Sequence, residues 1–159
     1  MKEVLFKEKF PQLNLPECNP RITEEEGRLL IFDSIRKKHL VLTPEEWVRQ
    51  HWIYFLVEKN QYPKGLLVTE KGLTYNKLQK RTDILVRNQE GAPYLLVECK
   101  APNVPINQKT VNQAVLYHFK LKSNFLILSN GFSHIFLKYD FSKNQFLQEK
   151  NLPKAPFSH

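Results

Sequence analysis

The apolar run Tyr94-Leu95-Leu96-Val97 stops at the triplet Glu98-Cys99-Lys100, and another β-rich run, Asp83-Ile84-Leu85-Val86, precedes it across the loop 87–93, which contains Gly91 and Pro93. Two such runs with Gly and Pro between them read as an antiparallel hairpin. Charge is disfavoured in an apolar strand, so Glu98 and Lys100 have to lie where the strand leaves the core. Antiparallel pairing sets Asp83, at the start of one strand, beside Glu98, near the end of the next. Glu98 and Lys100 are two apart and share a face, while Cys99 points into the opposite layer.

The other elements arrange themselves around this hairpin. Leu29-Leu30-Ile31-Phe32 and Leu40-Val41-Leu42 form a shorter hairpin with a basic tip. Thr43-Pro44-Glu45-Glu46 opens a helix, with Thr43 at the N-cap, Pro44 at N1 and Glu46 at N3 of a capping box. That helix carries Trp47 and Trp52 into the core and ends near Asn60, before Pro63. Leu66-Leu67-Val68 predicts a strand. A second helix spans about 107–122, with Val111, Ala114, Val115, Tyr117 and His118 at helical spacing. Phe125–Leu128 and Ile135–Leu137 are strands about an Asn130-Gly131 turn. The sum is an α/β fold: a mixed sheet flanked by helices, with an N-terminal β-hairpin and an irregular arm. The arm covers 1–28, one domain 29–150, and a frayed tail 151–159.

Length agrees with one domain, since 159 residues bury one good core and leave little for a second. No apolar run is long enough to cross a bilayer, and Met1-Lys2-Glu3-Val4 lacks the pattern of a secretory signal, so no membrane role and a cytoplasmic location are expected. Cys18 and Cys99 are far apart and without a Cys/His cluster, which argues against a disulfide framework or a zinc site. His51, His118 and His134 lack ligand spacing and read as exposed or internally satisfied. The net charge of +8 suits a polyanion. Its distribution is more specific: Lys71, Lys77, Lys80 and Arg81 precede Asp83 with no acid among them, and Cys99 through Tyr139 holds Lys100, Lys109, Lys120, Lys122 and Lys138 and no acid. Lys77, Lys80, Arg81, Lys109, Lys120 and Lys122 are the candidate DNA contacts.

Two convergent carboxylates beside a lysine suit phosphodiester hydrolysis. Such carboxylates repel unless a cation lies between them, so without one at least one carboxyl is expected to titrate high. Mg²⁺ favours oxygen ligands and lowers the pKa of water; Asp83, Glu98 and the Cys99 carbonyl are the candidate ligands, with Mn²⁺ as a substitute. Lys100 then positions or activates the attacking water. Gln113 and Tyr117 share a helix face, from which they could orient Lys100 or touch the DNA backbone.

Asp83, fourteen intervening residues and Glu98-Cys99-Lys100 resemble the D…ExK motif of PD-(D/E)XK nucleases. With Thr82 before Asp83, Ala101-Pro102 after Lys100, the Gln113…Tyr117 element and Leu126-Ile127-Leu128-Ser129-Asn130-Gly131, the chain resembles the N-terminal nuclease domain of the endonuclease subunit of type I restriction enzymes, from about Ile31 to Tyr139. The resemblance implies a restriction-endonuclease-like core, endonuclease activity on DNA and restriction-modification partners. It also implies a supporting acid from the first helix, for which Glu46 and Glu45 both stand. Thr82 takes the place of the motif's proline. No G-x-x-x-x-G-K-[ST] loop occurs in this sequence, so ATP-driven translocation falls to a separate helicase or translocase subunit. The rival readings are a non-catalytic DNA-binding module or a nuclease subunit active only with a separate ATP-dependent motor, and a small structural or interaction domain in which D…ExK is fortuitous.

Overall fold

A computed structural model describes residues 2–69 and 84–157. Asp83, Lys77, Lys80 and Arg81 lie outside the described residues. The order is α1 (Lys2–Lys9), β1 (Ile22–Glu25), β2 (Arg28–Asp33), β3 (Lys38–Val41), α2 (Pro44–Tyr54), β4 (Leu67–Thr69), β5 (Ile84–Arg87), β6 (Pro93–Cys99), α3 (Gln108–His118), β7 (Phe125–Ser129), β8 (His134–Asp140) and β9 (Gln145–Glu149). β1, β2 and β3 form an antiparallel meander; β4 to β9 form one sheet in sequence order, antiparallel throughout except at β6 and β7. A parallel neighbour requires a crossover, and α3 is that crossover.

β6 is central and its alternation divides the core. Val97 and Cys99 join Ile84, Val86 and Ile127 beneath α2, with Trp52 and Leu56 fully enclosed. Leu96 joins Leu85, Leu126, Leu128 and Leu137 beneath Ala114 of α3. The expected α/β sandwich with a mixed sheet is therefore present. α2 begins at the expected cap, with the Thr43 hydroxyl accepting from Glu46 N–H at 3.0 Å. A π-helical turn, Phe55–Lys59, carries it toward Asn60.

Four expectations differ from the structure. The arm is more regular than its prolines suggest: α1 sets Phe6 and Phe10 against Trp47, with ring centroids 6.1 and 5.8 Å away, and β1 adds a third strand to the first hairpin through the left-handed pair Glu26-Gly27. Two aromatics one turn apart supply the apolar edge that so short a helix needs. α3 ends at His118, short of Lys122, and β9 adds an edge strand whose sequence, Gln145-Phe146-Leu147-Gln148-Glu149, is mostly polar. The tail is also held: the Tyr62 hydroxyl donates to the Pro153 carbonyl and the Tyr94 hydroxyl to that of Lys154, both at 2.5 Å.

The arm docks on the β7–β8 turn through a closed chain of bonds. Asn14 N–H donates to the Gly131 carbonyl (2.8 Å), Gly131 N–H to Ser129 Oγ (3.0 Å), Ser129 Oγ to His134 Nδ1 (2.7 Å), and His134 Nε2 back to the Asn14 carbonyl (3.0 Å). Gly131 has φ +89°, and a Cβ there would approach Leu13 Cδ2 to 2.7 Å. Left-handed backbone and a crowded apolar neighbour both require glycine. Gly131→Ala should destabilise the protein by about 1–3 kcal/mol, read from urea unfolding; an unchanged midpoint would show that the arm yields freely.

Candidate active site

Glu98 projects from β6 onto the α3 side and is 9 % exposed. Its Oε1 lies 2.6 Å from His118 Nε2 and its Oε2 lies 3.0 Å from Lys100 Nζ. Lys100 stays in line with β6 because its N–H donates to the Ser129 carbonyl at 2.8 Å, one step beyond the Cys99–Ser129 pairing. Its side chain is 36 % exposed, so this is the wet side of the cluster, and His118, 1 % exposed, is the dry side. The shared face of Glu98 and Lys100 and the inward turn of Cys99 agree with the strand periodicity.

Burial raises the Glu98 carboxyl, but the hydrogen bond and charge of His118, followed by Lys100, outweigh it and hold the carboxyl below its ordinary value. The raised carboxyl expected of an acidic pair is thus not found at Glu98, where two basic side chains compensate the charge. Asp83 lies outside the described residues; Ile84, which follows it, pairs with Val97, which precedes Glu98. Among the described residues no group of three His, Cys, Asp or Glu side chains could hold a metal.

Gln113 and Tyr117 are exposed on α3, and among the described residues neither bonds to Glu98 or Lys100. Helical geometry puts them on the flank opposite Val111 and Val115, which face β8 and β9 across a groove of about 690 Å³. Lys109, Lys120 and Lys122 are exposed at α3 and just beyond it.

Glu46 belongs to a different cluster, beneath α2. It accepts from Arg49 Nε (2.9 Å) and Nη2 (2.8 Å), and from Gln50 (3.2 Å), so its carboxylate is drawn away from the reciprocal half of the capping box. Arg49 Nη2 also meets Asp33 Oδ2 at 2.5 Å, and Asp33 Oδ1 accepts from the N–H groups of Ile35 and Arg36. Arg36 Nε donates to Thr69 at 3.1 Å. Thr69, Ile84 and Val97 form one row across the sheet, so this cluster and Glu98 flank the same end of the sheet from opposite faces. Glu45 is half-buried in the first turn of α2.

Sequence reasoning missed His118 as a partner of Glu98. The available signal was its place one turn beyond Ala114 on the buried stripe, where a polar ring needs a partner. His51 and His134 are satisfied as expected, with His51 Nδ1 donating to the Trp47 carbonyl at 2.7 Å. Asp33 and Arg49 carried no signal, being sixteen residues apart and of types normally read as surface.

With this geometry in hand, the family model described as type I restriction enzyme R protein N terminus matches residues 44–153. The chain belongs to that family. No curated protein matches it. The matched span of this R-protein N-terminal domain runs from the start of α2 to the docked tail, and holds Glu98, Lys100, Gln113, Tyr117 and His118. The β1–β3 meander precedes it, so Asp33, the partner of Arg49, is contributed from outside the matched region. Among the described residues no helix is long and apolar enough to cross a membrane.

Two outcomes follow for the buried cluster. Burial raises the Asp33 carboxyl, but Arg49 and two backbone N–H groups outweigh it and hold it below the ordinary carboxylate range. A depressed folded-state value stabilises the fold fully above the unfolded value and loses that contribution as pH falls through the folded one. Asp33→Asn should therefore destabilise most near neutrality, and the gap to the unmodified protein should narrow below about pH 4; a pH-independent gap in thermal unfolding contradicts the ion pair's role. Glu46→Ala, which strips the Nε acceptor from buried Arg49 while Asp33 still holds its Nη2, should cost about 1–3 kcal/mol, against about 0.5 kcal/mol or less for Glu45→Ala, both measured by denaturant titration.

Proposed function

We propose that this domain is a Mg²⁺-dependent DNA endonuclease. The observation that carries this reading is the Glu98–Lys100 pair at the end of a strand otherwise buried on both faces, with one carboxylate oxygen held from inside by His118 and the other turned toward a half-exposed lysine. The donor set fits an oxygen-preferring divalent cation: Glu98, Asp83 and the Cys99 carbonyl are the ligands, and Mn²⁺ substitutes. When bound, the cation supplies Lewis-acid stabilisation of the charged phosphate and a more acidic water.

The chain's own residues do the rest. Glu98 is negative at neutral pH, so it anchors positive charge at the strand end and keeps Lys100 close. Lys100 carries a mobile ammonium that can leave Glu98 for a phosphate oxygen or orient water for attack on phosphorus, as the bond to the leaving oxygen breaks and that oxygen takes a proton. Gln113 and Tyr117, on the exposed flank of α3, support Lys100 or touch the DNA backbone. Lys109, Lys120 and Lys122, with Lys77, Lys80 and Arg81, meet successive phosphates without reading bases. Glu46 supports the same end of the sheet through Arg49. The domain works in the cytoplasm beside restriction-modification subunits and an ATP-dependent motor.

Lys100→Ala separates chemistry from binding. The oxygen ligands and remaining lysines persist, so Mn²⁺ and DNA affinities should stay close to those of the unmodified protein, while single-turnover cleavage should fall by about 10²–10⁴. Cleavage at the unmodified rate removes Lys100 from the chemistry. Absence of cleavage by the unmodified protein with either metal, but with DNA still bound, would favour a subunit active only beside an ATP-dependent motor, or, if adding that partner restores no cleavage, the non-catalytic DNA-binding module.

A further inference from the structure

His118 has a defined relation to Glu98 that no motif describes. It is the last residue of α3, a helix whose start is pinned by a reciprocal capping box between Asn107 and Thr110. Ala114, one turn earlier and 1 % exposed, lies in the apolar layer against Leu85, Leu96 and Leu126, so the helix delivers the imidazole at a set height over β6. The ring is itself 1 % exposed, and its Nε2 is 2.6 Å from Glu98 Oε1. An ionised carboxylate can only accept, so Nε2 carries the proton of this bond.

The bond divides the carboxylate. Oε1 is committed to the protein interior, the carboxylate plane is fixed, and Oε2 is directed to the side where Lys100 reaches solvent. A carboxylate that ligates a cation is commonly held through its second oxygen in this way, and loss of such a partner weakens metal affinity although the partner never touches the ion. Gln113 and Tyr117 make no such bond among the described residues.

We infer that His118 is a positioning residue, which acts through Glu98 to present Oε2 to a divalent cation. This rests on the metal-dependent reading above. A role confined to filling the core would lower stability and leave the affinity of the folded protein for metal unchanged.

The test is Mn²⁺ titration calorimetry on the folded unmodified protein, His118→Ala, His118→Gln and Glu98→Gln, with DNA affinity in EDTA measured for each. Glu98→Gln should abolish Mn²⁺ binding. His118→Ala should weaken it by about 10- to 100-fold, and His118→Gln, whose amide Nε2–H can reach the same oxygen, should recover most of the loss. DNA affinity of the His118 variants should stay within about twofold, because they leave every phosphate-binding lysine in place. Unmodified Mn²⁺ affinity in His118→Ala, alongside its loss in Glu98→Gln, would overturn the role of His118 and leave the metal site standing. Absence of Mn²⁺ binding by the unmodified protein would overturn the metal-dependent reading and this inference with it. Independently of any metal or variant, ¹⁵N NMR of the unmodified protein should find His118 Nε2 protonated; a bare Nε2 would contradict the bond.

Discussion

Strand β6 is buried on both faces and paired along both edges, antiparallel to β5 and parallel to β7. Such a strand cannot slip by one residue without exchanging its two apolar layers, Val97 and Cys99 beneath α2 for Leu96 beneath α3. Its register is therefore tightly determined, and with it the one place where charge can be set down: Glu98 and Lys100, as the strand leaves the core. The parallel pairing with β7 adds a second demand, a crossover, and the crossover brings α3 and His118 over Glu98. A site built on the end of such a strand inherits the rigidity of the sheet.

The two polar clusters at this end of the sheet differ in a way that separates structure from chemistry. Beneath α2, Asp33, Glu46, Arg49 and Gln50 are all below a tenth exposed, with their carboxylates bonded internally. Removing Arg49 leaves two buried carboxylates uncompensated, and removing either acid leaves Arg49 N–H groups without an acceptor, so the cluster locks the meander, α2 and β4 together. Beneath α3, the Glu98 cluster is closed by His118 on one side and open through Lys100 on the other. Lys100, with its side chain 36 % exposed, has solvent beside it and can turn from its partner at little conformational cost. An open ion pair on a rigid support is what a reactive site needs, and a closed one is what a joint between two sheets needs.

Much of this was legible because it is local. The Thr43 cap, the Gly91-containing loop between β5 and β6, the Asn130-Gly131 turn and the burial of Trp47 and Trp52 depend on residues within a few positions of one another. α1 escaped notice because the apolar edge it forms with the residue just beyond it is Phe6 and Phe10, and its support comes from Trp47, far along the chain. β9 escaped because an edge strand takes its place from hydrogen bonds to β8 and needs little apolar alternation of its own.

The amino-acid sequence by itself determined the order of the central elements, the placing of Glu98 and Lys100 on one strand face, and the capped start of α2, since each follows from periodicity or from bonds a few residues long. Tertiary structure decided the partners. It gave Glu46 to Arg49 and Gln50 rather than to the N-cap backbone, it drew Asp33 from the meander to the same arginine, and it placed His118 against Glu98 across twenty residues of chain. A buried ionisable group has to find its complement wherever the fold brings one. Which residue that is depends on layers meeting, and no local pattern encodes it.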